Sequence, residues 1–232
     1  MRQLPLGVQL GVSLRFETFH TGANAEAVAA LTLRAGGDYR PPLWLFGPMG
    51  CGKSHLLQAA CALAGGHGLT AAYLPLAAVR TEGPALLDGF EGLRLLALDD
   101  LEAVAGTADW EHALFTLYNG LQEQRGCLVF AATQAPAALP FRLPDLASRL
   151  AASEVHRLQP LTERDQAEAL RRRARHRGLT LPEETLGYLT RHAPRDFSSL
   201  CRLLDELDTE ALAAQRRLTV PFVRDWLSRS GG

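Results

Sequence analysis

Lys53 and Ser54 close the run Gly47-Pro48-Met49-Gly50-Cys51-Gly52-Lys53-Ser54, which satisfies G-x-x-x-x-G-K-[ST] at every position. Glycines at these intervals let the backbone turn so that several N–H groups converge, and a helix opening at the lysine adds the positive end of its dipole. Such a cradle takes the phosphates of a nucleoside di- or triphosphate. Lys53 would reach the terminal phosphates and the Ser54 hydroxyl would bind Mg²⁺, with His55 next along the helix.

A second group supplies the acids that metal-dependent phosphoryl transfer needs. Asp99 and Asp100 end the apolar run Leu93-Arg94-Leu95-Leu96-Ala97-Leu98. Asp99 is assigned to Mg²⁺, directly or through water. Asp100 would orient the attacking water, although it is one methylene shorter than the usual glutamate. Thr133 follows Leu128-Val129-Phe130-Ala131-Ala132 and is a candidate γ-phosphate sensor, on condition that its strand lies beside the one feeding the glycine loop. Arg149 and Arg195 are the candidate guanidinium groups. A guanidinium supplied as a finger changes phosphoryl-transfer rates by about 10³–10⁵. Composition alone names neither as one, since an isolated arginine is more often a surface or ion-pair residue.

The elements that must position these groups follow from periodicity. Apolar blocks at 43–46, 71–76, 93–98, 127–132 and 154–158 alternate mostly with helical patterns, which predicts an α/β fold with a mainly parallel sheet and helices on both faces. The loop sits between a strand, Leu43-Trp44-Leu45-Phe46, and a helix beginning near His55. Acids at the carboxyl end of a buried strand lie at the sheet edge where ligands bind in open α/β folds. Beyond Pro160 the pattern becomes helical: Glu163 to His176, Pro182 to about His192, Phe197 to Ala214, and a last helix from Pro221 to near Ser228. Thr162 and Asp165 suit a capping box at the first of these. Arg171, Arg172, Arg173, Arg175 and Arg177 crowd its other end. They could touch nucleic acid, but a solvated helix C-terminus explains them more simply. The expected boundaries are a tail at 1–13, an α/β domain at 14–159 and a helical domain at 160–232.

Composition narrows the field. A formal net charge of -1 over 232 residues argues against a protein whose main business is gripping nucleic-acid phosphates. No stretch of eighteen apolar residues and no signal-peptide core is present, so a cytoplasmic protein without a membrane partner is expected. Cys51, Cys61, Cys127 and Cys201 are too scattered for a zinc site or a disulfide frame. Each is expected to pack as a small apolar residue, with a hint of thiolate character at Cys51 from nearby Lys53.

Taken together, these residues resemble the AAA+ ATPases, within them the branch of the bacterial replication initiator DnaA, and most closely the shortened Hda family of regulatory inactivators of DnaA. The likeness is carried by Phe16-Glu17-Thr18-Phe19 with Gly22 and Asn24, the glycine loop with His55-Leu56-Leu57-Gln58-Ala59, and the acidic pair. It extends to the Leu143–Leu150 segment, Arg216-Arg217-Leu218-Thr219-Val220-Pro221-Phe222-Val223, and the tail Gln3-Leu4-Pro5-Leu6. It implies a five-stranded parallel P-loop sheet with a helical lid, and Phe16, Phe19 and Asn24 near the base of a bound ADP or ATP. Arg149 would be a finger acting in trans on ATP held by DnaA, and Arg195 a lid arginine touching the nucleotide. Gln3, Leu4, Pro5 and Leu6 would dock on the DNA polymerase III sliding clamp (its beta subunit), so that DNA is met indirectly. An amide followed by two apolar anchors is chemistry that a partner's groove can bury, although Gly7-Val8 stand where many clamp peptides place an aromatic or larger apolar residue. The protein would work with ADP bound and prompt DnaA to hydrolyse its ATP, its own hydrolysis being weak or absent. A homo-oligomer is compatible with a fold whose active sites are completed by neighbours.

Two other functions stay open on the sequence. One is a DnaA-like initiator or helicase loader acting directly on DNA, against which stands the short stretch after the lid helices, with no room for a helix-turn-helix domain. The other is a free-standing ATPase with an unrelated substrate.

Overall fold

The structure, a computed structural model, describes residues 14–192, 197–214 and 216–230. They divide into two compact units. The larger contains five strands, β1 (Leu43–Phe46), β2 (Ala71–Pro75), β3 (Leu95–Asp99), β4 (Cys127–Ala132) and β5 (Glu154–Arg157). They form one parallel sheet in the order β2-β3-β4-β1-β5. The five apolar blocks of the sequence are these five strands. Its helices are α1 (Ala25–Ala35), α2 (Lys53–Gly66), the short α3 (Leu76–Val79), α4 (Ala108–Glu123) and α5 (Pro144–Ala151).

Strand alternation divides the core between two faces. Trp44, Leu96, Leu98, Leu128 and Phe130 pack with Trp110, Leu114, Leu117 and Leu121 of α4 and with Leu146 and Leu150 of α5. The opposite face is covered by α2, which packs on β2, β3 and β4, with α1 beside it. Burial on both faces explains why β3 and β4 read as unbroken apolar runs: every residue of both is buried. Removing one such side chain, as in Leu96→Ala, costs about 2–5 kcal/mol. The fifth block departs from this pattern. β5 is an edge strand with three of its four residues exposed, so its lone apolar Val155 is half open to solvent.

The second unit holds α6 (Glu163–His176), α7 (Glu183–His192), α8 (Phe197–Ala213) and α9 (Val220–Ser230) around Leu170, Leu186, Leu189, Leu204, Leu207, Phe222 and Val223. At the start of α6 the Thr162 hydroxyl oxygen accepts the Asp165 N–H at 3.2 Å, and the hydroxyl donates to Asp165 Oδ2 at 2.7 Å. The box expected there is thus half built, because the carboxylate takes the hydroxyl rather than a backbone donor.

Residues 17–22 run with this unit instead of with the α/β unit, whose expected start was at 14. Hydrogen bonds of His20 and Phe19 help to hold them. His20 Nε2 lies 3.1 Å from Asp165 Oδ1, and Arg172 donates to the Phe19 carbonyl at 3.1 Å. The rest of the arginine cluster meets carboxylates of its own unit. Arg171 pairs with Glu168 and Glu183, Arg173 with Asp205, Arg175 with Glu168, and Arg177 with Asp205 and Asp208.

Candidate nucleotide site

The glycine loop leaves the carboxyl end of β1 and enters α2 at Lys53. Two glycines are required by geometry. A Cβ at Gly47 would lie 2.7 Å from the Leu158 carbonyl oxygen and 3.0 Å from Cys51 Sγ. Gly52, the N-cap of α2, has φ 98° and ψ 13°, a left-handed conformation that other residues adopt at a cost. The first intrahelical bond here runs from Leu56 N–H to Gly52 O at 3.0 Å, so the loop leads directly into the positive end of the α2 dipole. Lys53 is buried, and its Nζ donates to Gly47 O at 2.8 Å and Pro48 O at 3.1 Å. The loop therefore folds around the Lys53 ammonium group. His55, one turn in, has Nε2 3.0 Å from the Arg15 carbonyl, and Met49 stands almost fully exposed at the loop tip.

Parallel pairing sets the other groups around that loop. Phe46 pairs with Ala132, so Gly47 and Thr133 leave adjacent strands at one level, and β3 lies on the far side of β4. This meets the condition attached to Thr133. Its N–H donates to Glu102 Oε1 at 3.1 Å, and its side chain is exposed at the sheet edge.

Asp99 has no solvent exposure, and its Oδ2 accepts the Tyr73 hydroxyl at 2.9 Å while Oδ1 accepts the Asp100 N–H at 3.0 Å. Asp100 sits half-buried in a left-handed conformation, φ 57° and ψ 48°. Burial, then the charges of Asp99 and Glu102, push its carboxyl upward, against the pull of Lys53. Burial, and then Asp99, also raises the Tyr73 phenol, which keeps it a hydrogen-bond donor. Among the described residues no three His, Cys, Asp or Glu side chains group as a cage for a metal ion. Hard oxygens at Ser54 and Asp99 nonetheless suit Mg²⁺, which binds through one or two protein oxygens together with water and phosphates.

One expectation changes, and the structure shows what the base-site candidates meet. Cys51 is buried and its thiol is pushed up by that burial, which outweighs the pull of Lys53, so the hint of thiolate character is wrong. Asn24 is buried and pins backbone: its Nδ2 donates to Gln159 O at 3.0 Å and its Oδ1 accepts Gln159 N–H at 2.8 Å. Phe19 is buried and grouped with the helical unit, whereas Phe16 is half-buried in a 3₁₀ turn of the α/β unit. Arg195 and the tail Gln3-Leu4-Pro5-Leu6 lie outside the described residues.

Arg149 is carried by α5 and held by one face of α4. Its guanidinium carbon is 4.7 Å from the centre of the Phe115 ring and 5.3 Å from that of Tyr118, and Nη1 donates to Asn119 Oδ1. These partners are on α4, not on the glycine loop. Cation–π stacking takes the flat face of the group and leaves most edge donors to other acceptors.

Sequence reading missed two residues. Glu111 of α4 has no solvent exposure, and its carboxylate accepts N–H bonds from Gly106 at 2.7 Å, Arg142 at 2.9 Å and Leu143 at 2.7 Å. An acid inside the apolar stripe of α4 was the available signal. Tyr73 is the other, a hydroxyl-bearing aromatic on the strand paired with β3.

A glycine loop between β1 and α2, an acid ending β3, a polar end of β4 beside β1 and a helical unit following define a P-loop nucleotide-binding protein of the AAA+ class. Residues 163–227 match the family model of the Hda lid domain. Domain III of the Thermotoga maritima replication initiation protein DnaA superposes with a TM-score of 0.77 at 22% identity, covering 94% of this chain and 97% of that one. AMPPCP-bound DnaA from Aquifex aeolicus gives 0.67 at 21% identity, covering 86% of this chain and 66% of that one. The Thermotoga maritima RuvB Holliday junction branch migration motor gives 0.62 at 17%, covering 90% and 67%. The chain thus spans about two thirds of the length of the longer DnaA chain it matches. Its fold is that of the DnaA-like AAA+ proteins, and its C-terminal helices resemble the Hda lid.

Proposed function

We propose that this protein is a negative regulator of replication initiation, holding ADP with Mg²⁺, docked on the DNA polymerase III sliding clamp, and stimulating hydrolysis of the ATP bound to DnaA through Arg149. The observation that carries this reading is where Arg149 sits: on α5, stacked against α4, with its partners away from its own glycine loop. A guanidinium so placed is suited to another molecule's nucleotide rather than its own. The Hda lid match supports the same reading.

In its own site the backbone of the glycine loop and Lys53 would hold the nucleotide phosphates, and Ser54 and Asp99 the Mg²⁺. Mg²⁺ would neutralise phosphate charge. Asp100 would orient water, from a carboxyl that burial and then the charges of Asp99 and Glu102 push upward. The Arg195 of the lid and Phe16 would complete contacts to the nucleotide. Direct action on DNA is less favoured, because Arg171, Arg173, Arg175 and Arg177 of the basic cluster are paired with carboxylates.

The test is a purified assay of DnaA-bound ATP turnover with this protein, clamp and DNA, each omitted in turn. Arg149→Ala is expected to keep nucleotide and clamp binding and to lose about 10³-fold or more of the stimulated rate. Undiminished stimulation by that variant rejects the assignment.

A further inference from the structure

Tyr73 is in β2, two residues before Pro75, which pairs with Asp99 across the β2–β3 ladder. Residues two apart share a face of the sheet, so the ring reaches diagonally to Asp99 on the side covered by α2. The hydroxyl donates to Asp99 Oδ2 at 2.9 Å. Ser54 and Gln58, on the first two turns of α2, lie close enough to the same hydroxyl to bear on its acidity. Asp99 Oδ1 is fixed separately by the Asp100 N–H. Each carboxylate oxygen therefore has one protein donor and keeps a lone pair for another ligand.

The two oxygens assigned to Mg²⁺ come from different elements, Ser54 from the opening of α2 and Asp99 from the end of β3. Mg²⁺ demands near-ideal octahedral geometry at about 2.0–2.1 Å, so a small rotation of either side chain weakens the site. We propose that Tyr73 is a positioning residue for the divalent cation: its phenol fixes the Asp99 carboxylate in the orientation the ion requires. This rests on the reading of Ser54 and Asp99 as the metal's donors. Tyr73→Phe is a clean probe, because it keeps the ring and removes only the hydroxyl.

The experiment is equilibrium binding of fluorescent ADP and ATP analogues by the full chain, titrated with Mg²⁺, for the wild type, Tyr73→Phe and Asp99→Asn. Thermal melts run alongside. Wild-type affinity is expected to tighten with Mg²⁺. Tyr73→Phe should keep its Mg²⁺-free affinity within about twofold yet need about tenfold more Mg²⁺ to reach half of the tightening. Asp99→Asn should lose the tightening. A Tyr73→Phe curve that overlays the wild type, with or without a lower melting temperature, overturns the role of Tyr73 while the Asp99→Asn loss leaves the metal reading standing. A wild type indifferent to Mg²⁺ overturns the metal reading and the role of Tyr73 with it.

Discussion

Arg34 and Glu154 show how a charged pair far from the phosphate loop fixes the edge of its sheet. The Arg34 side chain is almost fully buried and donates to Glu154 Oε2 at 2.7 Å, to Pro41 O at 2.6 Å and to Ala30 O at 2.9 Å. Glu154 also lies 2.8 Å from His156 Nε2. The hydrogen bond with His156, and then that from Arg34, hold the Glu154 carboxyl below its ordinary value of 4.5, against burial. A carboxyl lowered in the folded state contributes stability above the ordinary carboxylate range. That contribution fades as pH falls through its lowered value. Glu154→Gln is therefore expected to melt below the wild type at pH 7 and to converge with it toward pH 3. Because the carboxylate is well exposed, the difference at pH 7 should stay near about 1 kcal/mol. Melting temperature across pH measures it, and a gap that widens in acid contradicts the pairing. None of this was legible in the sequence, where Arg34 and Glu154 are separated by most of the sheet.

Among the elements, α4 does more than cover the sheet. One side carries Glu111, which gathers the turn before α4 and the segment entering α5, and further along it Phe115, Tyr118 and Asn119 receive Arg149. Glu111→Ala would leave three backbone N–H groups without their acceptor, each costing about 1–3 kcal/mol. A total loss of about 3–5 kcal/mol in denaturant unfolding is expected, with Glu111→Gln losing less because an acceptor oxygen remains. A change under 1 kcal/mol for the alanine variant would mean that water replaces the carboxylate. Helices and strands themselves were readable, since apolar periodicity decides them. The half-built cap at Thr162 and the exposure of β5 were not, because both depend on which neighbour occupies the next position in space.

At the scale of the whole molecule, the proposed activity needs three surfaces: the nucleotide site, the face presenting Arg149, and the clamp peptide. If, as proposed, Gln3-Leu4-Pro5-Leu6 is the clamp peptide, deleting residues 1–8 is expected to abolish retention on the sliding clamp while leaving nucleotide affinity and melting temperature unchanged. Clamp binding by the truncated chain, in a pull-down with the clamp loaded on DNA, would assign docking elsewhere. The truncated protein should then stimulate DnaA-bound ATP hydrolysis weakly, because tethering raises the effective concentration of the finger.

By itself the sequence determined the glycine loop, the acids at the end of β3 and the places of the five strands, because each is written in neighbouring residues: glycine spacing fixes a turn, and apolar runs mark strands. Tertiary structure decided what those residues meet. Strand order brought Thr133 level with Gly47, parallel register set Tyr73 against Asp99, and helix packing laid Arg149 on α4. The physical reason is that hydrogen bonds and stacking act over a few ångströms between groups far apart along the chain. Local periodicity carries no record of such meetings.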